Sequence, residues 1–174
     1  MNQGFIDPKE VLKELKLKNS LTAADFGSGS GGWVIPLAKI LEEGKVYAID
    51  IMEEPMSALK AKLNLEKIFN VEAIQANVEE DRGTRIPESS CDLVLMTNLL
   101  FECEDKKAVF QEAKRVLRPG GRILVVDWNK DNPFTKEIEK VSFDSLKKTA
   151  KDLGLKLEKE FPAGAYHYAL IFVK

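Results

Sequence analysis

Short runs of branched and aromatic apolar residues alternate with segments of helical periodicity along nearly the whole chain, and few folds accommodate that alternation. Strand candidates fall at 21–26, 45–50, 71–75, 91–97 and 122–127. Helical spacing recurs at 32–42, from Glu53 through Met56, Leu59 and Leu63, and from Val109 to Leu117. Strand and helix in repeated succession indicate an α/β chain: a mostly parallel sheet with helices on both faces. A short amphipathic helix at 8–15 precedes this run. After it, Ser142 reads as an N-cap, Phe143, Leu146, Ala150 and Leu153 as a core stripe, and Gly154 as a stop. Two strands, 155–161 and 166–173, turn around Pro162-Ala163-Gly164 and must therefore be antiparallel.

The 174 residues fit one domain, 1–174, because that length supports a single core and would starve two. The formal net charge is −2, with Lys and Arg interspersed among Asp and Glu, so no basic block announces a nucleic-acid surface. The first residues lack the apolar core of a signal peptide, and no later apolar run approaches the roughly 20 residues of a membrane span. A cytoplasmic location with no membrane partner is the expectation. Cys91 and Cys103 form no C-x-x-C pair and neither neighbours the single histidine, His167, which argues against a metal or redox centre. Two reduced thiols packing as small apolar groups are expected instead.

Chemistry concentrates in Asp25-Phe26-Gly27-Ser28-Gly29-Ser30-Gly31, between the first strand and its helix. Glycines there let a ligand approach backbone amides at the start of a helix, where a Cβ would obstruct it. Nineteen positions past Gly31, Asp50 ends the second strand, where a carboxylate can accept both hydroxyl protons of a ribose. Loop and acid together make a nucleoside site. Gly27, Gly29 and Gly32 also satisfy the dinucleotide pattern G-x-G-x-x-G, so spacing alone leaves the nucleoside open.

Five segments in order, ADFGSGSGGW, VYAIDI, QANVEE, DLVLMTNLLF and RVLRPGGRILVVDW, resemble the motifs of class I S-adenosylmethionine-dependent methyltransferases. The likeness is to the group that includes the ubiquinone/menaquinone biosynthesis and arsenite methyltransferase-like proteins, and it spans about residues 7 to 174. It implies a Rossmann-like three-layer sandwich on a seven-stranded sheet of order 3-2-1-4-5-7-6 with strand 7 antiparallel. It also implies S-adenosylmethionine as cofactor and S-adenosylhomocysteine as product. Carried onto this sequence, Asp25 orients the ligand's amino group, and the Phe26, Gly27, Ser28, Gly29, Gly31 stretch approaches its methionine and ribose parts. Asp50 holds the ribose hydroxyls, Ile51 and Met52 wall the adenine, Asn77 and Val78 meet its edge, and Thr97 and Asn98 line the methionine end. Many relatives have Asp where this chain has Asn77, whose amide oxygen still accepts a hydrogen bond. Arsenite methylation would call for several cysteines near the site, and two do not suffice.

A sulfonium is an activated methyl donor, so the protein chiefly positions the nucleophile and excludes water, with a base needed only for a protonated nucleophile. If strand seven lies beside strand five, Tyr166 and His167 come near Asp127 and Trp128. Asp127 and His167 are thus the candidate catalytic pair, in mutual contact, against the plainer alternative of a hydrogen-bonded histidine at a strand end beside a packing Trp128. Phe5, Ile6 and the segment 128–141 are the only obvious covers, so the pocket is open to a large partner or closed by homo-oligomerisation. A small-molecule methyl acceptor is expected. The rival functions are a nicotinamide-dependent oxidoreductase, for which this length offers no substrate domain, a protein-lysine or RNA methyltransferase, and a cofactor-binding module without chemistry.

Overall fold

Segments such as CDLVLMT and HYALIFV have the apolar, branched character that a sheet buried on both faces demands, and they join five further strands, the charged edge segment KLEKEFP among them, in one sheet. The computed structural model describes residues 6–128 and 142–174. The expected covers Phe5 and 129–141 lie outside the described residues. Helices α1 (Pro8–Lys13), α2 (Val34–Ile40), α3 (Glu53–Leu65), α4 (Lys106–Val116) and α5 (Phe143–Asp152) alternate with strands β1 (Thr22–Phe26), β2 (Lys45–Asp50), β3 (Val71–Gln75), β4 (Cys91–Thr97), β5 (Leu117–Trp128), β6 (Lys156–Pro162) and β7 (His167–Val173). The sheet order is β3-β2-β1-β4-β5-β7-β6, with β7 antiparallel to both neighbours and the remaining pairs parallel. This is the expected Rossmann-like three-layer sandwich.

Alternate strand residues feed two cores. Ala24, Phe26, Val94, Met96, Ile123, Val125 and Leu170 pack beneath Val109, Phe110 and Ala113 of α4 and Leu146 and Ala150 of α5. Ala23, Ala48, Leu95, Val126 and Ile171 face Val11 and Leu12 of α1, Val34 and Leu37 of α2, and Leu59 of α3. Edge strand β6 carries exposed Lys and Glu side chains, which discourage another strand from adding there. No helix among the described residues is long and apolar enough to cross a membrane.

Element ends depart from sequence expectation where hydrogen bonds outweigh local propensity. Helix α1 is capped by Asp7, whose Oδ1 accepts from the Lys9 N–H at 2.9 Å, but it stops at Lys13, short of the expected Leu15. Helix α2 occupies only the middle of 32–42, because Leu41 leaves the helical region. The turn Arg118-Pro119-Gly120-Gly121 does not separate α4 from a strand beginning at Arg122. It is drawn into β5, because the C-terminal residue clamps it: the Gly120 N–H donates to Lys174 C=O and the Lys174 N–H to Gly121 C=O. Ser142 stands at the N-cap of α5 without a side-chain capping bond.

The strand order reverses between β1 and β4, each of which sends its chain to a different side of the sheet. A crevice opens beyond the carboxyl ends of parallel strands at such a switch point, and it is there that ligands bind in open α/β sheets.

Candidate active site

The loop after β1 is fastened to β2 by backbone bonds: Gly27 and Ser28 N–H both donate to Ile49 C=O at 2.9 Å. The Gly29 N–H donates to Asp50 Oδ2 at 2.8 Å, and the Met52 N–H to Oδ1 at 2.9 Å. Asp50 therefore ties the glycine loop to the start of α3 while still offering further lone pairs. Gly29 has φ +51°, and a Cβ placed on it would meet nothing within 4 Å. What glycine preserves at this position is open space over the loop.

That space is a cavity of about 430 Å³. Gly27, Gly29, Asp50, Ile51, Met52, Asn77, Val78 and Asn98 all border it, so eight residues singled out from sequence share one wall system. Ile51 and Met52 stand 61% and 58% exposed, an apolar wall with nothing yet against it. Pro55, Ala76, Glu79, Leu99, Glu102 and Cys103 complete the lining and were not foreseen. Among the described lining residues, charge comes from Asp50, Glu79 and Glu102, with no Lys or Arg. Such a cavity attracts a cation and repels a pyrophosphate.

Beneath the loop lies Asp25, fully buried, with neither carboxylate oxygen hydrogen-bonded. Burial first, and the charge of Asp50 second, push its pKa up to about 8. A buried carboxyl without partners is costly and marks a place where a bound group completes the structure. An ammonium group, met directly or through a water, is the natural complement.

Other foreseen residues contribute from behind the wall. Phe26 is part of the core, so only its backbone faces the loop, and Ser28 Oγ turns toward Met56 of α3 at 3.7 Å. At Gly31, with φ +92°, a Cβ would fall 2.5 Å from Leu59 Cδ1, so this glycine lets the loop pack on α3. Thr97 is buried at the end of β4, paired with Val126. Asn77 Oδ1 already accepts from the Glu79 N–H at 3.0 Å. The loop after Val78 is anchored from below: buried Glu112 accepts from Thr84 and forms an ion pair with Arg115.

The proposed contact between Asp127 and His167 does not form. Asp127 follows Val125 on the α4/α5 face, whereas His167 shares the opposite face with Ala169, because side chains alternate along each strand. Trp128, the register partner of His167, stacks on its ring at 4.0 Å between centroids, and His167 Nε2 lies 3.1 Å from Asn98 Oδ1. The carboxamide oxygen can only accept, so Nε2 carries the proton and Nδ1 is the basic nitrogen. Burial lowers the histidine's pKa, keeping the ring neutral. Asp127 accepts from the Trp128 N–H at 2.8 Å through Oδ1, while Oδ2 finds no partner. Burial raises its pKa to about 6, partly offset by the Trp128 N–H and by the nearby backbone N–H groups of Leu100 and Phe101, which approach the carboxylate without completing a hydrogen bond to Oδ2. Cys91 and Cys103 are free and buried, their thiols pushed up to about 11 and about 12, which leaves them unreactive.

Comparison with known proteins agrees with this geometry: the family model described as methyltransferase domain matches residues 24–125. The chain belongs to the methyltransferase domain family. Its motifs and sheet order place this methyltransferase domain in the class I, S-adenosylmethionine-dependent group. It is 31% identical over 134 residues to a ubiquinone/menaquinone biosynthesis C-methyltransferase of Escherichia coli, covering 75% of this chain and 52% of that protein. The chain thus spans about half the length of the curated relatives it matches. A solved S-adenosylmethionine-dependent methyltransferase from Aquifex aeolicus superposes with a TM-score of 0.87 at 28% identity, over 97% of this chain and 89% of that one. The [4+2]-cyclase SpnF, with a TM-score of 0.82 at 13% identity over 95% of this chain and 79% of its own, shares the fold alone. The same sheet therefore carries different chemistries, and function has to be argued from the site.

Proposed function

We propose that this methyltransferase domain, acting as a single domain over 1–174, binds S-adenosylmethionine in the 430 Å³ cavity and passes its methyl group to a small-molecule acceptor. The observation that carries the reading is Asp25, a buried carboxyl with no partner among the described residues, beneath a cavity whose described charged groups are all acidic. A ligand bearing an ammonium and a sulfonium answers both features. A nicotinamide dinucleotide would bring its pyrophosphate against Asp50, Glu79 and Glu102, where like charges repel.

When bound, the cofactor supplies a methyl group already activated on positively charged sulfur. The chain's own residues do the rest. Asp50 accepts the ribose hydroxyls on lone pairs left over from Gly29 and Met52, Ile51 and Met52 cover one face of the adenine, and Asn77 and Val78 address its edge. Gly27, Ser28 and Gly29 offer close backbone approach, and Gly31 keeps that loop seated on α3. Thr97 and Asn98 lie at the methionine end. His167, neutral and held by Asn98, accepts a proton at Nδ1 where the nucleophile arrives protonated. Asp127 is the second basic group at this edge and acts on the acceptor, not on His167.

The E. coli relative is named for a small-molecule pathway, and among the described residues no Lys or Arg lines the cavity, which together support a small acceptor over RNA. Isothermal titration with S-adenosylhomocysteine and with NAD tests the reading: the first should bind and the second should not. NAD binding with no response to S-adenosylhomocysteine would overturn it. Transfer of labelled methyl from the donor into cell extract, separated into small-molecule and macromolecular fractions, then identifies the acceptor class, with label expected in the former.

A further inference from the structure

The ligand proposed for the 430 Å³ cavity is a zwitterion at its amino-acid end, and the charges of the cavity suit only half of it. Asp25 complements the ammonium, whereas Asp50, Glu79 and Glu102 repel the carboxylate. A hydrogen-bond donor for that carboxylate has to come from the lining. The glycine loop is largely spent as a source: the Gly27 and Ser28 N–H groups donate to Ile49 C=O, and the Gly29 N–H donates to Asp50. Among the described lining side chains, the donors are Asn77, Asn98 and the Cys103 thiol, which is taken up by Leu99 C=O at 3.5 Å.

Position separates the two amides. Asn77 follows β3 beside Val78, at the end that takes the adenine edge. Asn98 follows β4, the strand paired with β1: Phe26 lies opposite Met96, so Gly27 leaves β1 at the level of Thr97, one residue before Asn98. The two loops touch, since a Cβ on Gly27 would fall 2.8 Å from Leu99 Cδ1. Asn98 therefore stands at the same end of the cavity as Asp25 and the first glycine.

The direction of its amide is also fixed. Asn98 adopts φ +50°, a left-handed conformation that Asn tolerates, and its N–H donates to Val126 C=O at 2.8 Å. Its Oδ1 accepts from His167 Nε2 at 3.1 Å, and the His167 ring is held in turn against Trp128. A planar carboxamide anchored by its oxygen has to point its NH2 group elsewhere, and Nδ2 makes no hydrogen bond among the described residues. Two N–H bonds on a fixed amide at the cavity wall are the donors that a carboxylate requires.

We infer that Asn98 Nδ2 holds the carboxylate of the cofactor's methionine part, and that His167 is a positioning residue that keeps this nitrogen turned to the cavity. The inference rests on the cavity being the S-adenosylmethionine site. It gives to one side chain after β4 a contact that the spent amides of the glycine loop cannot make. The task of His167 Nε2 here is separate from the basic Nδ1 of the same ring.

The test compares S-adenosylhomocysteine with its decarboxylated counterpart, 5′-(3-aminopropylthio)-5′-deoxyadenosine, by calorimetric titration of the whole protein near neutral pH. The two share base, ribose, sulfur and amino group and differ in the carboxylate. An acidic cavity with no donor for the carboxylate binds the decarboxylated molecule, a net cation, more tightly. With Asn98 engaged, S-adenosylhomocysteine should instead bind about ten- to a hundredfold more tightly, the range for hydrogen bonds to a charged group. Asn98→Asp keeps the shape and suits the left-handed backbone but removes the donor, so the order of the two ligands should invert. His167→Leu should erase most of the preference, and His167→Gln, which still donates to Oδ1, should retain it; a merely structural role would weaken both ligands alike. In NMR spectra the Asn98 side-chain amide signals should move on adding S-adenosylhomocysteine and stay in place with the decarboxylated molecule. Equal or inverted affinities in the unaltered protein, or a preference that survives Asn98→Asp, overturn the inference and leave the cofactor reading standing. Binding of neither nucleoside removes the cofactor reading, and the inference with it.

Discussion

Replacing Asp25 by Asn should stabilise the protein at alkaline pH while impairing it as a cofactor site. Asp25 is fully buried, both its oxygens lack partners, and its pKa is pushed from 3.8 to about 8. A carboxyl whose folded pKa lies above its unfolded one binds its proton more tightly in the folded state. Its contribution to stability is therefore complete below about pH 4, declines as pH rises toward 8, and is constant beyond. At about 1.4 kcal/mol per pH unit, the three units from pH 5 to pH 8 amount to about 4 kcal/mol, an upper value because water reaching the site would relieve part of it. Asparagine has the same shape and never ionises. Subtracting the two proteins' unfolding free energies cancels every other titrating group, so the variant's stability relative to the parent should climb by about 2–4 kcal/mol between pH 5 and pH 9 in urea unfolding. A relative stability that stays flat across this range would refute the reasoning, because Asp25 would then carry no buried charge. The same linkage governs binding. An ammonium beside Asp25 favours its ionised form, so S-adenosylhomocysteine affinity should rise by up to tenfold per unit between pH 6 and pH 8, with proton release, and the variant should lose that dependence.

Asp50→Ala should weaken S-adenosylhomocysteine binding by about a hundredfold, since two charge-assisted hydrogen bonds to the ribose vanish, and titration calorimetry would read it directly. Gly31→Ala should cost about 1–3 kcal/mol in urea unfolding, because the left-handed backbone strains any side chain and its Cβ would strike Leu59. His167→Gln can keep the hydrogen bond to Asn98 but not the basic nitrogen. Turnover with a protonated acceptor should therefore fall by about 10²–10⁴ with unchanged cofactor affinity, and unchanged turnover would remove His167 from the mechanism.

The sheet was legible because each of its strands bears its own periodicity, and the reversal of order between β1 and β4 follows from the resemblance carried by five motifs. The glycine loop and Asp50 were legible for the same reason: a turn and an acid at a strand end are local features. What stayed hidden depends on loops folding back. Glu102 and Cys103 reach the cavity only because Asn98 adopts φ +50° and the Glu102 N–H closes a turn on Leu99 C=O, neither of which a linear pattern announces. The Asp127–His167 pairing failed through parity. Proximity of β5 and β7 brings the residues close, but register sends Asp127 toward Tyr168 and leaves His167 opposite Trp128. Likewise Gly31 reads as a ligand contact in sequence, whereas the nearest obstacle to its Cβ is Leu59.

The most direct test of the account is a crystal structure of the protein soaked with S-adenosylhomocysteine. The ribose should lie on Asp50, the adenine against Ile51 and Met52, and the amino group over Asp25. A loop left bare at saturating ligand, or the same molecule lodged elsewhere on the sheet, would contradict it.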